Sequence, residues 1–99
     1  MEKITTVSNT AHLGEVKVGT KWEIHYNVPG EVIQAIPGCG SCTSIKLSKG
    51  KVIARFEVTP IPKHLQHNKK LPFKKSIAVK YSSGRSGAFF IKGTKTKKI

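Results

Sequence analysis

Apolar and polar side chains alternate with a period of two along most of this chain. Over residues 22–28, Trp22, Ile24, Tyr26 and Val28 fall on one side and Glu23, His25 and Asn27 on the other. Successive side chains of an extended strand point to opposite faces, so the pattern predicts a strand with one face in a core. Pro29-Gly30 supplies the turn that follows. Residues 31–36 form a short, mostly apolar run ending at Pro37-Gly38, and residues 45–47 form another, closed by Ser48-Lys49-Gly50. Val52, Ala54, Phe56 and Val58 alternate with Ile53, Arg55 and Glu57; further on, Ile77, Val79 and Tyr81 share a face. Residues 82–87 read as a hairpin loop leading into a last strand over 88–92, and residues 15–20 as a strand and turn near the start. Residues 60–74 contain Pro60, Pro62 and Pro72 without a helical period, which predicts one long loop.

Six or seven short strands without a helix predict an all-β fold, an antiparallel β-sandwich. Residues 1–10 read as an N-terminal arm or edge strand, 11–93 as the sandwich and 94–99 as a basic C-terminal tail. If 22–28 runs down, the strands that follow alternate up and down. That places Cys39, Cys42, the 60–74 loop and the C-terminal tail at one pole.

Three segments carry a resemblance. They are Leu13-Gly14-Glu15-Val16-Lys17-Val18-Gly19, the run from Cys39 to Thr43, and Lys75-Ser76-Ile77-Ala78-Val79 continuing to Ile91-Lys92-Gly93. In order and spacing they resemble the immunoglobulin-like domains of the Hydin-like group, and most nearly a bacterial family of unknown function with a Cys-Gly-Cys-Thr signature. The likeness covers about residues 10–93. Here Ser41 is inserted, giving C-x-x-C in place of C-x-C, and no export signal is seen. The resemblance implies a single immunoglobulin-like sandwich of about seven short strands, used for binding or scaffolding. It implies no catalytic residues.

Charge adds the strongest functional constraint. The 99 residues carry 18 Lys+Arg against 5 Glu, with no Asp, for a formal charge of +13. Such an excess costs self-repulsion and attracts anionic partners. The expected trace gathers Lys63, Lys69, Lys70, Lys74, Lys75, Lys92, Lys95, Lys97 and Lys98 at one pole as the candidate anion-binding set. With 16 Lys and 2 Arg, the composition suits point-charge contacts to phosphates over bidentate reading of bases. Trp22, Tyr26, Phe56 and Tyr81 all read as core, so no stacking surface is expected. The expected partner is an acidic protein surface or a larger protein assembly such as a virion. The alternative is DNA or RNA bound without sequence specificity.

The two cysteines, Cys39 and Cys42, admit three chemistries. With His64 and His67 they could form a tetrahedral zinc site, but only two residues separate the histidines, where three to five is usual. Redox catalysis needs a helix N-terminus to lower the attacking thiol's pKa, and the residues after Cys42 read as extended. The favoured reading is two small buried thiols at a loop corner, with no cofactor; a disulfide there would lock the loop. Glu23 and Glu57 occupy outward strand positions, His25 reads as a surface residue, and Gly84-Arg85-Ser86-Gly87 reads as a hairpin turn. No nucleophile elbow or phosphate loop accompanies them, and no enzymatic activity is expected. The N-terminal segment lacks a signal-peptide core, and no run nears the roughly 20 apolar residues of a membrane helix. The expectation is a cytoplasmic protein, or one assembled into a larger particle, without membrane insertion.

Overall fold

The computed structural model describes residues 1–28, 30–65 and 69–97. Pro29, His67 and Lys98 therefore lie outside the described residues. Eight strands account for most of the chain: β1 (Glu2–Thr6), β2 (Thr10–Lys17), β3 (Lys21–Asn27), β4 (Val32–Pro37), β5 (Thr43–Ser48), β6 (Lys51–Glu57), β7 (Lys70–Tyr81) and β8 (Ser86–Thr96). The one helical element among the described residues is a 3-10 turn, Lys63–Leu65. Two four-stranded sheets, ordered β1-β3-β6-β5 and β2-β8-β7-β4, pack into an all-β sandwich.

The sheets are mixed, which corrects the purely antiparallel expectation. Consecutive strands alternate in direction, so pairs of one odd and one even strand run antiparallel: β3–β6, β5–β6, β4–β7 and β7–β8. The two N-terminal strands part company, β1 joining the first sheet and β2 the second. β1 lies beside β3 and β2 beside β8, and like parity makes both pairs parallel. β2 carries an irregularity between His12 and Glu15, where Gly14 sits at a φ of 71°. That left-handed conformation is cheap only for glycine, and it lets β2 bend while keeping its pairing with β8.

The inner faces follow the predicted alternation. Ile24 and Tyr26 of β3, Val52 and Ala54 of β6, Ile77 of β7 and Ile91 of β8 are all fully buried. Each such large aliphatic side chain contributes roughly 1.5–3 kcal/mol of burial. Tyr26 bridges the sheets: its ring stacks on Phe89 with centroids 4.8 Å apart, and its hydroxyl donates to the Phe90 carbonyl at 2.8 Å. Burial pushes the Tyr26 phenol well above its ordinary pKa. Trp22 lies on the same face, half-buried against the core, with its indole N–H buried and unpaired among the described residues.

The long 60–74 loop is not observed. β7 begins at Lys70 and is 12 residues long; β8 is 11 residues and continues to Thr96. Residues 94–96, expected in the tail, are therefore strand. Pro72 pairs with Thr94 in a stretch of β7 beyond the end of β4, whose register stops at Ile77. With one neighbouring strand there, a missing N–H is tolerated.

Candidate anion-binding interface

Period two sorts the side chains of β7 and β8 cleanly. Leu71, Phe73, Ile77 and Val79 point into the sandwich, so Lys70, Lys74 and Lys80 point out. On β8, Phe89 and Ile91 point in, leaving Phe90 and Lys92 outside. The pairing registers add His12 and Lys17 from β2 to this outer face. Among the described residues, the face formed by β2, β8, β7 and β4 bears five lysines (Lys17, Lys70, Lys74, Lys80 and Lys92) against one acid, Glu15. Glu15 is engaged with Lys70, whose ammonium lies 2.6 Å from its carboxylate.

The centre of the face is a row of three basic side chains, His12–Lys92–Lys74, each directly opposite the next. Like charges opposed across strands are destabilising, and no acid shares this row. One position along the face, Thr10–Phe90–Ser76 forms the neighbouring row. Phe90 is half-buried, and the Lys74 ammonium rests 4.4 Å from its ring centroid.

The nine lysines expected at one pole are divided. Lys70, Lys74 and Lys92 belong to the outer face just described. Lys75 follows Lys74 on the same strand and so takes the inner side, half-buried. Lys95 is also turned inward and is buried, its ammonium donating to the Thr59 hydroxyl at 3.2 Å and the Pro60 carbonyl at 3.4 Å. Burial, and secondarily the charge of Lys75, lower its pKa. Lys95 is thus a structural cation, which corrects its expected role. Lys63, Lys69 and Lys97 are exposed and lie outside the face. His12, Lys17, Lys80 and Phe90 were not among the expected site residues. The parity of positions 70, 74 and 80, and of 90 and 92, carried that information once residues 70–81 are taken as one strand.

The outer face of the first sheet is basic too, carrying Lys3, Lys21, Lys46, Lys51 and Arg55 against Glu23 and Glu57, but both of its acids stand opposite cations. Glu23, expected on a solvated face, is buried beneath three basic side chains: His25 Nε2 at 2.9 Å, Arg55 Nε at 3.2 Å and Lys3 Nζ at 3.5 Å. The hydrogen bonds from His25 and Arg55 and the charge of Lys3 outweigh burial and lower its pKa to about 2. His25, expected on the surface, is half-buried by this contact. Glu57 stands opposite Lys21 across the strands.

Cys39 and Cys42 are joined in a disulfide, their Cα atoms 5.6 Å apart, where two buried thiols were expected. A disulfide offers no thiolate to a metal, and His64 is exposed on the 3-10 turn. Among the described residues no group of three His, Cys, Asp or Glu is arranged to hold a metal ion. The bond closes the corner that carries the chain from β4 in one sheet to β5 in the other. Gly38 N–H donates to the Ser76 carbonyl at 2.8 Å, and Glu57 N–H to the Cys42 carbonyl at 3.0 Å, fastening the corner to both sheets. At the opposite end, a cavity of about 650 Å³ is lined by Val28, Val32 and Leu47. No helix among the described residues is long and apolar enough to cross a membrane.

Compared with known proteins, the chain matches no family model, no curated protein and no solved structure.

Proposed function

We propose that this chain is a non-enzymatic immunoglobulin-like binding and scaffolding module that attaches to an anionic partner through the outer face of its second sheet. The observation that carries the reading is the unneutralised row His12–Lys92–Lys74, within a face of five lysines and one acid. A sheet selected only for stability gains nothing from opposed like charges, whereas a polyanion repays them by releasing its counterions.

Two further observations support the reading. The orders β3-β6-β5 and β8-β7-β4 correspond to the B-E-D and G-F-C strand orders of immunoglobulin sandwiches. The Cys39–Cys42 disulfide suits an oxidising setting or an assembled particle better than reducing cytosol.

Charge reversal tests the proposal. Binding to immobilised polyglutamate and polyphosphate at about 50 mM salt is expected to fall by at least ten-fold in the Lys74→Glu/Lys92→Glu double variant. A Lys46→Glu/Lys51→Glu double variant removes the same charge from the first sheet and is expected to lose much less. Equal losses would show that net charge alone, and not this face, attracts polyanions.

A further inference from the structure

The outer face of the second sheet holds an aromatic ring as well as its lysines. Phe90 lies on β8, an inner strand of this sheet, next to β7. Its flanking partners, Thr10 and Ser76, are small and polar. Along the outer side of β8, it stands between Ala88 and Lys92. Low neighbours leave the ring standing between an apolar row, Ile36–Ala78–Ala88, on one side and the charged row His12–Lys92–Lys74 on the other. The ammonium of Lys74 lies over the ring, 4.4 Å from the centroid. That ammonium ends an exposed, flexible side chain.

Resting on the proposed anion-binding face, we infer that Phe90, Lys74 and Lys92 form a stacking site for single-stranded nucleic acid. A base laid on the Phe90 ring displaces the Lys74 ammonium, and the freed ammonium meets a flanking phosphate. Stacking a base on an aromatic ring is worth more than an exposed cation–π contact, so the exchange runs toward the nucleic acid. Lys92, directly opposite Lys74, sits beside the same ring and supplies the second phosphate contact. The outer positions of β7 between Lys70 and Lys80 are ten residues apart, roughly 33 Å of strand, which gives a strand several nucleotides long a charged path on both sides of Phe90. Every base has a π-face, so the site is tolerant of sequence. Polyglutamate offers the charge but no flat ring, and a duplex keeps its bases stacked away from Phe90.

Fluorescence anisotropy with labelled dT15, a matched 15-base-pair duplex and polyglutamate, at about 50 to 200 mM salt, tests this. The wild-type protein is expected to prefer dT15 to both other probes. Phe90→Leu keeps an apolar side chain and the backbone carbonyl that Tyr26 uses. It is expected to weaken dT15 binding about ten-fold with an unchanged salt slope. Lys92→Gln is expected to lower that slope by about 0.7, the loss of one single-strand phosphate contact. Thermal melts of both variants verify that the fold is intact. Polyglutamate bound as tightly as dT15, with no effect of Phe90→Leu, overturns the stacking site while the anionic-partner reading stands. Failure to bind any of the three probes at 50 mM salt overturns both.

Discussion

Glu23 is the residue whose environment departs furthest from its sequence context. A lone glutamate on the polar side of an alternating strand ordinarily faces water. Here it lies buried under Lys3, His25 and Arg55, contributed by three adjacent strands of the first sheet. Its pKa falls from 4.5 to about 2, chiefly through His25 and then Arg55 and Lys3. A carboxyl with a depressed folded-state pKa contributes stability above its unfolded value and loses it as pH falls through the folded one. The protein should therefore lose stability progressively between pH 4.5 and about 2, beyond the loss from its ordinary carboxylates. Denaturant unfolding across that range should give a flatter profile for Glu23→Gln. An identical acid slope in the variant would mean that the cluster does not hold the carboxylate ionised.

At the scale of elements, the corner between β4 and β5 joins the two sheets. The C-x-x-C spacing placed a constrained turn at residues 39–42, but spacing alone could not separate free thiols, a metal half-site and a disulfide. The distinction needs the approach of two Cα atoms, here 5.6 Å. Closing a loop this short should contribute about 2 kcal/mol through the unfolded chain. Reduction with dithiothreitol is expected to lower Tm by about 10 °C in a domain of this size. The Cys39→Ser/Cys42→Ala protein should start from the lower value and be indifferent to reductant. Reductant that leaves wild-type Tm unchanged would assign no stabilising role to the bond. β7 shows the opposite limit on reading a sequence. Its Pro72 signals a loop locally, yet the strand outruns β4 at that point and the proline faces no second partner. A tertiary fact thus overrides a local breaker, and Lys70, Lys74 and Lys75 pass from one presumed loop onto alternating sides of a strand.

For the whole molecule, the alternation of Trp22, Ile24 and Tyr26, of Val52, Ala54 and Phe56, and of Ile77 and Val79 was enough to read the two-layer architecture and the direction of the strands from β3 onward. Which strand lies beside which is decided by non-local pairing, so the parallel β1–β3 and β2–β8 contacts were not legible. The charge of the candidate site was legible in composition; its placement on one sheet face was not, because that depends on where β7 begins. The same charge gives the molecule two opposed responses to salt. With a formal charge of +13, the folded state carries more self-repulsion than the expanded chain, and added salt screens it. Screening also weakens the ion pairs of Glu15 and Glu23, but cations outnumber acids by 18 to 5, so the repulsive term dominates. Raising NaCl from about 10 to 200 mM should therefore raise Tm by a few degrees, equivalent to about 1 kcal/mol or less. Polyanion binding should fall steeply over the same range. A bound polyanion neutralises the face that salt otherwise screens, so saturating polyphosphate at 10 mM salt should raise Tm at least as far as 200 mM NaCl does. A melting temperature that falls with salt would show that the ion pairs outweigh the self-repulsion, and would remove the energetic reason for the module to seek an anionic partner.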